Sequence, residues 1–182
     1  AHTLGLVEIE HEILELYDQT IAIGEIGLDF YYDFSERDTQ IKVLIRQLEL
    51  AKKLTMPVVI HCRDAFEELI EILKDSVFSD LGGVIHCFTG SKAHLKQVLD
   101  LGYYVSTGGM LTFPKLQEIR DVISYCPKQR LLFETDSPYL SPVPFRGRTN
   151  HPSMVQYVYA RYADMVDMNL KELIDQVRQN FD

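Results

Sequence analysis

The sequence predicts an α/β fold of repeated strand–helix units around a parallel sheet. Three observations carry that prediction. Short apolar runs alternate with longer runs of helical period, the rhythm of βα units. The short runs are nearly continuous rather than alternating, as strands covered on both faces are. Metal-ligand side chains stand at the ends of several of these runs, at the edge where parallel α/β folds build their sites.

The elements follow in order. Residues 3–6 are a weak strand candidate, and residues 20–25 (TIAIGE) are a strong one ending on Glu25. Ile41, Leu44, Ile45, Leu48 and Ala51 then mark one face of a helix. Residues 57–61 (PVVIH) form a strand ending on His61. Phe66, Leu69, Ile70 and Leu73 line the next helix, with Asp64 as its N-cap. Residues 83–87 (GVIHC) place His86 near a strand end. Ser91 caps a helix carrying Leu95, Val98 and Leu99, and residues 103–106 (YYVS) are a further strand. Leu116, Ile119, Val122, Ile123 and Cys126 lie between Pro114 and Pro127, which bound a helix. Residues 130–135 (RLLFET) close the series, with Asp136 just beyond. After a proline-rich loop at 137–152, Met154, Val155, Val158 and Tyr162 make one apolar face. Leu170, Leu173, Ile174, Val177 and Phe181 make another.

Composition narrows the class. The 182 residues suit a single domain spanning 1–182. Apolar residues at 46% and charged residues at 25% exclude a disordered chain. A net charge of −9 excludes bulk coating of nucleic acid or anionic membrane. A polyanionic substrate therefore needs a local source of positive charge. No run of roughly 18 apolar residues is present, so no membrane partner is expected. No secretory leader pattern is visible at the start. Three cysteines, two of them directly after histidines, suit a reducing cytoplasmic setting. Cys62 and Cys87 read as buried packing residues, turned away from those histidines. Oligomeric state stays open.

Glu25, His61, His86 and Asp136 are the candidate metal ligands. Each alone reads as an ordinary satisfied histidine, a cap or a turn former. All four on one edge of one sheet point to a shared site. They are too far apart along the chain for a zinc-finger clip and converge only if the strands close around a common centre, as in a barrel. Two imidazoles and two carboxylates suit divalent ions and provide no thiolate cage.

The segments GEIGLDFYYD, PVVIHCRDA, GVIHCFTG, ETDSPYL and PFRGRTNHP resemble the TatD family of metal-dependent deoxyribonucleases across nearly the whole chain. The resemblance implies a (β/α)8 TIM barrel of the amidohydrolase type. It also implies phosphodiester hydrolysis in DNA, as an exonuclease, aided by up to two zinc, magnesium or manganese ions. In that scheme Glu25 bridges the ions, and His61 and His86 bind one of them. Asp136 binds the other and orients or deprotonates the attacking water, so Asp136 and Glu25 are the candidate catalytic residues. Arg63, Arg146, Arg148 and Asn150 are the candidate substrate-binding residues.

The chain also departs from the family pattern. It has no Asp-x-His-x-His near the start, and the family's Asn-Glu-Pro reads Asn150-His151-Pro152. About six βα units are visible, fewer than a (β/α)8 barrel needs. The expectation is a barrel without its first two βα units, binding one ion and having weak or no nuclease activity. Two alternatives stand beside it. One is an amide or ester hydrolase on the same barrel. The other is a catalytically impaired binding module.

Overall fold

The computed structural model describes residues 11, 13–32 and 34–181. The weak strand candidate at 3–6 lies outside these residues. The chain forms two compact units, Ala1–Ile85 and His86–Asp182.

In the first unit three parallel strands pair in chain order: β1 (Ile23–Asp29), β2 (Val58–Arg63) and β3 (Gly83–Ile85). Helix α1 (Arg37–Leu54) connects β1 to β2, and α2 (Phe66–Leu73) connects β2 to β3. A helical crossover returns the chain to the same end of the sheet, which keeps the strands parallel. Ile23, Ile26 and Leu28 of β1 are buried with Val58, Ile60 and Cys62 of β2.

Helix α1 packs on β1 and buries Leu44, Leu48 and Ala51 of its predicted face. It ends at Thr55, which takes left-handed φ of 54°. The Thr55 N–H donates to the Lys52 carbonyl and the Met56 N–H to the Ala51 carbonyl, a Schellman closure. Helix α2 buries all four residues predicted for its face. Each such side chain contributes about 1.5–3 kcal/mol by leaving water.

Two local expectations for this unit are corrected. The residue before α2 is Ala65, which makes no side-chain cap. Asp64 has φ of 53°, so it turns the chain rather than capping the helix. Strand β3 also stops at Ile85, because Cys87 adopts φ of 47° and leaves extended geometry. Cys87 is therefore half-buried and not the buried packing residue that strand alternation predicted. Cys62 is buried as predicted, and burial pushes its thiol pKa up to about 12.

In the second unit β4 (Tyr104–Thr107) pairs in parallel with β5 (Leu131–Phe133). The helices are α3 (Lys92–Asp100), α4 (Gln117–Ile123), α5 (Val155–Met165) and α6 (Leu170–Phe181). Ser91 caps α3 as predicted: its Oγ accepts from the His94 N–H, and His94 Nδ1 accepts from the Ser91 N–H. Phe133 of β5 packs against the rings of Tyr159 and Tyr162 on α5. Asn180 of α6 donates to the carbonyls of Lys128 and Leu131, tying the last helix to β5. Among the described residues no helix is long and apolar enough to cross a membrane.

Candidate metal centre

Glu25 does not end its strand, as the sequence suggested; β1 runs on to Asp29. The register explains how Glu25 is presented. Ile23 pairs with Val58 and Ile26 with Ile60, so Gly24 and Glu25 stand opposite the single residue Val59. A bulge of this kind re-aims a side chain. Gly24 is suited to it, because a Cβ there would lie 2.6 Å from the Val59 Cβ. The Gly24–Glu25 peptide bond is cis.

Beyond the bulge, Gly27 stands opposite His61 and Asp29 opposite Arg63. Gly27 has φ of 147°, and a Cβ there would collide with the His61 carbonyl oxygen. Only glycine lets the two strands pair this closely. The outcome is a short chain of side chains on one edge. Glu25 Oε1 lies 3.2 Å from His61 Nδ1. Asp29 Oδ2 lies 2.9 Å from His61 Nε2.

Asp29 is held in place from its own side. Its Oδ1 accepts from the N–H groups of Tyr31 and Tyr32, each at 3.0 Å. Burial acts to raise its pKa, but the Tyr32 N–H, the His61 side chain and the Tyr31 N–H outweigh it. Its carboxyl is held below the usual aspartate value.

His86 directly follows β3. Glu25, His61 and His86 each provide one ligand atom, and these atoms lie within 4.8 Å of one another. Donors about 2.1 Å from a common ion stand at most about 4.2 Å apart, so a slight contraction suffices to share one ion. Two imidazoles and a carboxylate are a donor set for divalent ions such as zinc or manganese. Three protein ligands also leave a coordination position for water or substrate, the pattern of catalytic rather than structural sites.

The second histidine is backed in the same way as the first. His86 Nδ1 lies 3.3 Å from Glu134 Oε1. Ser106 Oγ donates to Glu134 Oε2 at 2.7 Å and accepts from the Cys87 N–H at 3.1 Å. Asp29 and Glu134 thus engage Nε2 of His61 and Nδ1 of His86. Carboxylate-backed histidines of this kind are oriented and made more basic as ligands. Sequence reasoning missed both carboxylates as site residues. The available signal was position: Asp29 ends β1, and Glu134 directly follows β5, each inside a segment that already carried a candidate ligand.

The other candidates are placed differently. Asp136 lies in the loop after β5 with φ of 55° and is half-buried. It is not among the three residues whose ligand atoms come together. Asn150 is 2% exposed. Its amide nitrogen donates to the carbonyls of Thr135 and Tyr139, and its Oδ1 accepts from the His151 N–H. These bonds engage its side chain within the loop, on both sides of Asp136. The Arg63 guanidinium lies 3.7 Å from the Tyr31 ring centre, and Arg146 lies 3.7 Å from that of Phe113. Arg148 is exposed, 6.0 Å from the ring centre of Phe145.

This edge is of the kind found in metal-dependent hydrolases of the parallel α/β class, and comparison with known proteins narrows it. The family model described as TatD related DNase matches residues 6–182, and the chain belongs to that family. It is 40% identical over 167 residues to the uncharacterized metal-dependent hydrolase YabD of Bacillus subtilis, covering 92% of this chain and 66% of that protein. It is 39% identical over 150 residues to the 3'-5' ssDNA/RNA exonuclease TatD of Klebsiella pneumoniae, covering 80% of this chain and 57% of that protein. The crystal structure of YjjV, a TatD homologue from Escherichia coli, superposes with a TM-score of 0.92 at 30% identity, over 99% of this chain and 69% of that one. The fold class is accordingly that of the TatD barrel, of which five parallel strands are present among the described residues. The chain spans just under two thirds of the length of YabD.

Proposed function

We propose that this chain carries the hydrolytic metal site of a nuclease that cleaves phosphodiester bonds in single-stranded nucleic acid. The observation that carries this reading is the Glu25–His61–His86 group, with a carboxylate behind each histidine. Family membership supplies the reaction class, and a relative's description as a 3'-5' ssDNA/RNA exonuclease supports the substrate.

In this reading Glu25, His61 and His86 hold a zinc, manganese or magnesium ion. A divalent ion supplies Lewis acidity toward a phosphoryl oxygen and toward water. The chain's own groups do the rest. Asp29 and Glu134 fix the tautomers of the two histidines. Asp136 accepts a proton from the attacking water at its carboxylate. Asn150 holds the loop that presents Asp136. Arg63, Arg146 and Arg148 offer positive charge to phosphates, which an acidic chain otherwise lacks. The three cysteines, all free thiols, support a reducing cytoplasmic setting.

A second reading rests on Asp136 standing outside the ligand group. There the 182-residue chain binds one ion and has weak or no turnover. One experiment addresses both readings. End-labelled single-stranded DNA is incubated with the chain and manganese, beside a panel of amide and lactone substrates. Stepwise shortening of the DNA supports the nuclease. Turnover of amides or lactones alone contradicts it, and ion binding without any turnover supports the second reading.

A further inference from the structure

Just past Asp29, the end of β1 carries exposed aromatic rings that neither the fold nor the metal centre uses. Tyr31 is 58% exposed, Tyr32 45% and Phe34 89%. Exposed rings of this size in one short segment are unusual on a soluble surface. They are also ordered against one another. Tyr32 and Phe34 stack with ring centres 5.2 Å apart and planes inclined by 16°. Tyr31 meets Tyr32 edge-on at 4.9 Å. The Arg63 guanidinium lies 3.7 Å from the Tyr31 ring centre and 4.9 Å from that of Tyr32. Arg37 sits 4.5 Å from the ring centre of Phe30.

This cluster is coupled to the metal centre through one side chain. Asp29 binds His61 with one carboxylate oxygen and the N–H groups of Tyr31 and Tyr32 with the other. The group that orients a metal ligand thus also fixes the backbone under the rings. The Phe30 N–H donates to the Arg63 carbonyl, which holds the aromatic segment to β2.

We propose that Tyr31, Tyr32 and Phe34, with Arg63, form a stacking platform for an unpaired nucleobase of the strand being cleaved. The proposal rests on the nucleic-acid reading above. Flat exposed π-faces accept any base without regard to sequence, and an arginine over them adds attraction for both base and phosphate. A base on this platform stands beside the ligand His61, so its backbone phosphate is delivered toward the same strand edge. A paired base inside a duplex has no free face to offer, so the platform selects single strands.

The test is binding of the 182-residue chain, with manganese, to fluorescein-labelled oligothymidylate. The reference is an abasic oligonucleotide of equal length and charge. The native chain is expected to bind the thymidylate about 5- to 150-fold more tightly than the abasic strand, the range of one base stacked on an aromatic side chain. Tyr32→Leu and Phe34→Leu remove a π-face while keeping apolar bulk, and both are expected to erase most of that difference. Tyr32→Phe is expected to retain it. Circular dichroism confirms that the variants stay folded. Equal binding of the two strands by the native chain overturns the platform and leaves the nucleic-acid reading standing, as does an unchanged preference in both leucine variants. No binding of either strand overturns both.

Discussion

The strand edge at β1 and β2 and the loop at 135–152 both hold polar residues from family-resembling segments, yet they use them in opposite ways. At the strand edge, register decides placement. The bulge presents Glu25, Gly27 clears space over His61, and Asp29 reaches back to the imidazole. Those side chains engage one another at a surface open to solvent. In the loop, backbone groups left without strand partners draw the side chains inward, and Asn150 is consumed by the carbonyls of Thr135 and Tyr139. The contrast teaches that one motif supplies both ligands and scaffolding, and that pairing context separates them.

Breaking the strand edge at a ligand is expected to have the largest effect. His61→Ala or His86→Ala removes one of three donors, and manganese affinity of the chain is expected to fall more than about 100-fold, beyond the effect of losing an outer partner. Titration calorimetry reads this directly.

Breaking the backing carboxylate comes next. Asp29→Asn is expected to weaken the ion about 10- to 100-fold while leaving the three ligands in place. It also changes the acid limb of stability. Folded Asp29 titrates below its unfolded value, so its stabilisation is complete above about pH 4 and is lost as pH falls through the folded value. The variant is therefore expected to lose less stability than the native chain between neutral pH and acid, as followed by thermal melts across pH.

Breaking the loop acts on folding rather than on the ion. Asn150→Ala leaves two carbonyls without their donor and is expected to cost roughly 2–3 kcal/mol. Manganese affinity is expected to change less than threefold, on the order of 0.6 kcal/mol. A shift in denaturation midpoint with unaltered calorimetry separates this from the strand-edge variants.

The smallest effect is expected at the loop surface. Arg146→Ala removes a cation stacked on Phe113, worth about 0.5–1 kcal/mol at an exposed site. If Arg146 also meets a phosphate, the salt dependence of oligonucleotide binding is expected to fall by about one counterion. An unchanged slope restricts Arg146 to packing.

Much of this was legible in the sequence because it depends on period. The buried faces of α1 and α2, the cap at Ser91, and the alternation of strands with helices all follow from apolar spacing and local hydrogen-bonding chemistry. His61 and His86 were legible from the apolar runs that lead into them, although β2 does not end on His61 as expected but runs on to Arg63, because its pairing with β1 continues through Asp29 opposite Arg63. What was hidden depends on single backbone angles and on register. Asp64 and Cys87 take left-handed conformations that strand and cap patterns do not encode, so one cap and one strand end were misplaced. The bulge at Glu25 and the close approach at Gly27 exist only once β2 is alongside, so neither the true end of β1 nor the role of Asp29 could be read from β1 by itself. Asn150 entered through the family resemblance, and its bonds to the Thr135 and Tyr139 carbonyls depend on a loop path that no local sequence pattern encodes.

The most direct test of the account is the number of ions bound by the purified 182-residue chain, counted by elemental analysis after manganese loading and dialysis. The account predicts one tight ion per chain, lost in His61→Ala and in His86→Ala. Two tight ions per chain, or one ion retained in both variants, would contradict it.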